Sequence, residues 1–104
     1  MKILYNVTVK IEGSLTEDWL QWMKEVHLPE VMQTGCFESY LMSRIDGDDD
    51  EHGVGFAIQY IATTIEQFDT YQSNHAKILQ KAHSDRYANR YVAFRTLMRI
   101  EAQG

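Results

Sequence analysis

Residues 2–12 alternate strictly, with Ile3, Tyr5, Val7, Val9 and Ile11 on one side and Leu4, Asn6, Thr8 and Lys10 on the other. A period of two is the signature of a strand. Gly13 ends the alternation, and Ser14 with Glu17 three residues later matches a capping box, so a helix is expected to start near Leu15. The spacing then changes to three and four, and Leu15, Trp19, Trp22, Met23 and Val26 line one helical face. Pro29 lacks a backbone donor and disfavours helical geometry at Leu28, which predicts a stop near His27. A short helical piece over residues 29–33, ended by Gly35, follows. Residues 36–46 and 54–62 read as strands of a hairpin whose tip, 46–53, is acidic, solvated and mobile. Thr64 and Gln67 form a second capping box, opening a helix that presents Ile65, Phe68, Tyr71, His75, Ile78, Leu79 and Ala82. Its pattern loosens over residues 83–89, where a break is expected, and residues 91–100 alternate again as a last strand.

The resulting order is β-α-β-β-α-β. Two right-handed β-α-β units around a hairpin fold as a four-stranded antiparallel sheet with two helices on one face, an α+β ferredoxin-like sandwich spanning residues 1–104 as a single domain. The second sheet face is expected to carry Asn6, Thr8, Gln59 and Arg95 among Leu4, Ala57, Ile61 and Leu97. A face so mixed suits packing against the same face of a second copy, giving a homodimeric α+β barrel.

Composition narrows the function classes. At 104 residues, 44% of them hydrophobic, a compact domain is the expectation, and so small a core gains from oligomerisation. A net charge of -5 argues against nucleic-acid or anionic-membrane partners, which require clustered cations. No apolar run is long enough to span a membrane, and Asn6, Thr8, Lys10 and Glu12 interrupt any apolar leader. The lone Cys36 fits a reducing cytoplasm and, with no basic neighbour in sequence, an inert thiol.

Among ionisable groups His27 is the foremost catalytic candidate. At a helix C-terminus the macrodipole favours its imidazolium, and Trp22 and Pro29 beside it place its pKa near neutrality. The structural alternative is a ring that caps the last helix carbonyls. His75, one turn past Tyr71, is a candidate to face the same space, against the alternative of a hydrogen-bonded core residue. Asn6, Gln59 and Arg95, with Tyr40 or Arg44 nearby, are candidate donors to a carboxylate or carbonyl ligand, against the alternative of a hydrogen-bond network between subunits. His75 and His83 stand about 12 Å apart along a helix, too far to share a metal ion. The acidic turn at 46–51 lacks the glycine and bidentate glutamate spacing of a calcium loop, and no motif requires a cofactor.

Particular residues carry a resemblance. The run Ile3-Leu-Tyr-Asn-Val-Thr-Val, the segment Trp-Met-Lys-Glu-Val-His-Leu-Pro-Glu-Val-Met-Gln-Thr-Gly-Cys-Phe, the pair Gln59-Tyr60 and the terminal Val92-Ala-Phe-Arg-Thr96 resemble a bacterial domain-of-unknown-function family, DUF4286. The resemblance implies a dimeric α+β barrel and brings no activity. More distantly, a histidine and proline after the first helix are similar to barrels that degrade or oxidise small organic molecules.

The leading expectation is therefore a homodimer binding a small organic ligand. The alternative is a cofactor-independent isomerase, lyase or monooxygenase with His27 as general base and Arg95 or Asn6 stabilising negative charge. A partner-protein adaptor is a third class, which would expose an apolar patch beyond the dimer contact.

Overall fold

In the computed structural model, which describes residues 1–104, the opening alternation forms β1 (Ile3–Ile11). A tight 3-10 turn at Gly13–Leu15 leads into α1 (Thr16–Trp22), a π turn (Met23–His27) and α2 (Leu28–Gln33). The hairpin is β2 (Ser39–Arg44) and β3 (Val54–Ala62), followed by α3 (Ile65–Asn74), α4 (Ala76–Tyr87) and β4 (Tyr91–Arg99). The sheet runs β2-β3-β1-β4, every pair antiparallel, and this is the ferredoxin-like order.

Register fixes which side chains meet the helices. Tyr5 pairs with Tyr60 and Leu97, and Val7 with Ile58 and Arg95, so these residues share the helix-covered face. Asn6 pairs with Gln59 and Thr96, and all three lie on the open face. The expectation that Arg95 and Leu97 accompany Asn6 and Gln59 is therefore corrected. In β4 both parities are rich in apolar residues, Tyr91, Ala93 and Leu97 on one and Val92, Phe94 and Met98 on the other. Alternation alone cannot orient such a strand, and a one-residue change of register exchanges its faces.

The core lies between sheet and helices. Ile3, Ile11, Trp19, Val31 and Ala62 are fully excluded from solvent, with Trp19 packed on Phe56 at a ring-centroid distance of 4.9 Å. Tyr5, Phe37, Tyr60, Phe68 and Tyr71 form a second aromatic cluster with centroids 4.8 to 6.2 Å apart.

Two departures from the sequence pattern bear on function. The first helix does not stop at His27. The Leu28 amide donates to the carbonyl of Met23, five residues back, and the chain continues helically through Pro29. The wider turn accommodates the missing proline donor and relieves the clash of its ring with the preceding turn. It also carries one extra residue, so the inward register of Trp19 and Met23 continues at His27, Leu28 and Val31, while Val26 is exposed. The break in the second helical region falls at His75 (φ -130, ψ -37), and α4 runs unbroken to Tyr87. Here too the inward register advances by one: Ala76, Leu79, His83 and Tyr87 are buried, whereas Ile78 and Ala82 are exposed.

The capping patterns differ in outcome. Thr64 Oγ1 accepts from the Gln67 amide as expected, whereas Ser14 turns back to Glu12 and α1 starts at Thr16 without a side-chain cap. The acidic tip is likewise tied to the sheet rather than free. Lys10 donates to Asp50 at 2.8 Å and Arg44 to Asp49 at 2.6 Å. Gly53, at φ +137, passes so close to the backbone of Ile11 that no side chain fits there.

Candidate functional site

Between the helices and the strands β1, β3 and β4 the core is incompletely filled. The cleft holds about 460 Å³ of empty space, its open mouth included. That suffices for a few waters or a small molecule that displaces them. Its walls carry Tyr5, Tyr60 and Tyr71, His27 and His83, Gln80 and Arg95, and no carboxylate.

The two one-residue advances bring the histidines together. His27, delivered by the π turn, and His83, delivered by α4, have ring centroids 5.9 Å apart. Trp22 stacks on His27 at 5.0 Å with planes 26° apart, and Tyr91 meets the ring of His83 edge-on at 4.5 Å. Trp19 Nε1 donates to His83 Nε2 at 2.9 Å within the core, a bond that only an unprotonated Nε2 can accept. The neutral ring of His83 thus carries its proton on Nδ1. His27 Nδ1 is fully buried without a hydrogen-bond partner.

Burial lowers the pKa of His27 to about 4. Burial also takes His83 to about 4, helped by the charges of His27 and Arg95. Both rings are therefore neutral at pH 7. The expected near-neutral pKa of His27 is corrected, because the helix continues past it and leaves no terminal carbonyls for a cation to face. Its ring caps nothing either.

The tyrosines are held in the protonated form. Desolvation raises Tyr60, Tyr71 and Tyr5, and at Tyr5 the charge of Arg95 and the hydrogen-bonding reach of Arg95 and Gln80 oppose that rise. Lys2, Lys10, Arg44, Lys81, Arg86 and Arg90 each pair with a carboxylate, whereas Arg95 pairs with none, and neither do Lys24, Lys77 and Arg99 away from the cleft.

Of the residues singled out from sequence, His27 and Arg95 line the cleft. Asn6 and Gln59 face away from it, Asn6 donating to Thr8 Oγ1 at 2.9 Å. His75 sits half-buried at the junction of α3 and α4, its ring 6.4 Å from Tyr71, and does not line the cleft. The cleft also takes in His83, Gln80 and four tyrosines, Tyr5, Tyr60, Tyr71 and Tyr91, which no sequence motif marks. The phase change at His75 hides Gln80 and His83, whereas Tyr5, Tyr60 and Tyr71 stand at core spacing and read as packing residues. No group of three His, Cys, Asp or Glu side chains is placed to hold a metal ion. Cys36 is buried, its Sγ 3.8 Å from the carbonyl of Thr34.

Comparisons place this geometry among known folds. The model of a family described as Domain of unknown function (DUF4286) matches residues 2–101. No curated protein matches the chain in sequence. Among solved structures the chain is similar to a dimeric ferredoxin-like protein from an uncultured marine organism, at 8% identity and a TM-score of 0.74, covering 98% of this chain and 97% of that one. It is similar to SnoaB, a cofactor-independent oxygenase from Streptomyces nogalater in a mutant form, at 10% identity and a TM-score of 0.70, covering 98% and 95%. A Bacillus cereus protein assigned by name to the antibiotic-biosynthesis monooxygenases aligns at 5% identity with a TM-score of 0.69, covering 99% and 96%. At these identities the likeness is one of fold.

Proposed function

We propose, for a chain that belongs to the DUF4286 family, a small-molecule binding role centred on the helix–sheet cleft and exercised by a homodimer. The observation that carries the reading is the convergence of polar groups, one of them unpaired, on unfilled space. Arg95 without a counter-charge and His27 with Nδ1 unpaired share one cleft with His83 and four tyrosines, and a folded core leaves a buried polar atom unpaired only at a cost. A thermal-shift screen of small carboxylates, aromatics, haem and metal ions tests it, repeated on His27→Ala. The expected result is a ligand that raises Tm in the parent protein and loses that stabilisation in the variant. If no compound shifts Tm, or every shift survives the substitution, the cleft is only a packing defect.

The dimer uses the open sheet face. Leu41, Val92, Phe94 and Met98 are exposed there, from 40 to 67% of their surface, around the Asn6, Thr8 and Gln59 side chains. Apolar side chains ringing a few amides suit a second copy of the same face, and similar folds include proteins described as dimeric. Light scattering is expected to give twice the 12.1 kDa protomer mass, and Phe94→Asp to give one. A parent protein of monomer mass at micromolar concentration removes the dimer.

Proton transfer on the bound molecule, of isomerase, lyase or monooxygenase type, is the second reading. The specific observation is His27, whose ring lines the cleft with Nδ1 left unpaired. Arg95 would stabilise negative charge in such chemistry, and Asn6, on the far face of the sheet, would have no part in it. No helix is long and apolar enough to cross a membrane, and the free buried Cys36 suits a cytoplasmic setting.

A further inference from the structure

We infer that the cleft selects small planar monoanions, aromatic or enolic carboxylates, by seating the carboxylate on Arg95 and the ring among Tyr5, Tyr60 and Tyr71. The inference rests on the binding role proposed above and specifies its ligand.

Charge is the first argument. Arg95 is the single charged side chain in the lining, since both histidines are neutral and no Asp or Glu contributes. Six other basic side chains are met by carboxylates and Lys24, Lys77 and Arg99 are not, but of the cations without a carboxylate only Arg95 lines the cleft, opposite Val7 on β1. A guanidinium against a low-dielectric wall, with no internal counter-charge, attracts an anion and repels a cation. One such cation balances one negative charge.

Donor chemistry is the second argument. Around Arg95 stand the hydroxyls of Tyr5, Tyr60 and Tyr71, held protonated by burial, and the Gln80 amide. These groups donate to carboxylate, enolate or carbonyl oxygens. His83 adds an Nδ1 proton, because Trp19 occupies its other nitrogen.

Shape is the third argument. Tyr5 and Tyr60 are stacked with centroids 6.0 Å apart and planes 27° apart, and Tyr71 is tilted against Tyr5 at 6.1 Å. Aromatic walls favour a flat ligand, which gains edge and stacking contacts that a branched chain does not. The empty volume of about 460 Å³, open mouth included, sizes the occupant to a small molecule with the Arg95 side chain at its edge.

A series of near-isosteres on the full-length protein tests this: benzoate, benzamide and benzylamine, followed by titration calorimetry and by the ring signals of His27 and His83 in NMR. Benzoate is expected to bind at least about tenfold more tightly than benzamide, with benzylamine not binding. Arg95→Gln is expected to erase the preference, Arg95→Lys to keep part of it, and both variants to retain the parent Tm because the position is exposed. Equal affinity for benzoate and benzamide, or a preference that survives Arg95→Gln, overturns the inference. Two outcomes separate it from the broader reading. If neutral aromatics bind in a His27-dependent manner and benzoate does not, the binding role stands and the anion selectivity falls. If benzoate binds without perturbing either histidine, it lies outside the cleft and both fall.

Discussion

Acidification from pH 7 to pH 4 is expected to cost the fold up to about 3 kcal/mol for each of His27 and His83. Both rings have folded-state pKa values of about 4, lowered chiefly by burial, against an ordinary value of 6.5. Above pH 6.5 neither the folded nor the unfolded chain carries these protons, and the full stability is present. Between pH 6.5 and 4 the unfolded chain binds two protons that the folded chain refuses, so stability falls as pH falls. Below pH 4 the folded chain binds them too, and this contribution stops changing. A domain of this size has a total stability of about 5–15 kcal/mol, so the pair is enough to unfold a large fraction of molecules in mild acid. Urea midpoints measured from pH 7 to 4.5 are the check, a window that lies above the range of most carboxylates. His27→Phe keeps a stacked ring on Trp22 and is expected to remove about half of the slope. Midpoints that stay flat across the window would mean that neither ring is held neutral by burial.

Trp19→Ala is expected to cost about 3–5 kcal/mol, the range for truncating a large aromatic in a core that cannot close over the gap. The indole is fully buried, packs on Phe56 and donates to His83, so the substitution removes surface, leaves a cavity and orphans a ring nitrogen together. Trp19→Phe separates these effects. It retains most of the apolar contact and loses the donor, with an expected cost of about 1–3 kcal/mol from the unsatisfied His83 Nε2. The same variant is expected to raise the pKa of His83 above its value of about 4, because the Trp19 bond stabilises only the neutral ring, while burial, the chief cause of the lowered value, persists. Denaturant midpoints and an NMR titration of His83 report the two consequences independently. A His83 that titrates as in the parent protein would show that the bond does not set its protonation.

These two expectations depend on residues that were unevenly legible in the sequence. The core position of Trp19 follows from spacing, since an indole four residues before Met23 on a helix that must cover a sheet has nowhere else to go. The position of His83 does not. Continued at three and four from Phe68, the pattern points to Ile78 and Ala82, and both are exposed because the helix breaks at His75 and resumes one residue out of phase. The π turn before Pro29 does the same to Val26 and His27. Proline announces that something must change at that point. Whether the chain ends the helix or widens a turn is settled by packing, because Leu28 and Val31 can be buried only if the helix continues.

The order of elements, the period of each strand and the family were legible from the amino acids alone. These depend on local spacing and on turn and capping residues, which act within a few positions of one another. Which side of the sheet each polar residue occupies, and which histidines meet, follows from the folded arrangement. Arg95 joins the cleft because β4 is held against β1 with Val7 opposite it, and Asn6 leaves it by the same register. His27 and His83 face each other because two separate helices each advance their inward face by one residue. Neither fact is written in any local pattern, since each is set by long-range pairing and burial that no short window contains.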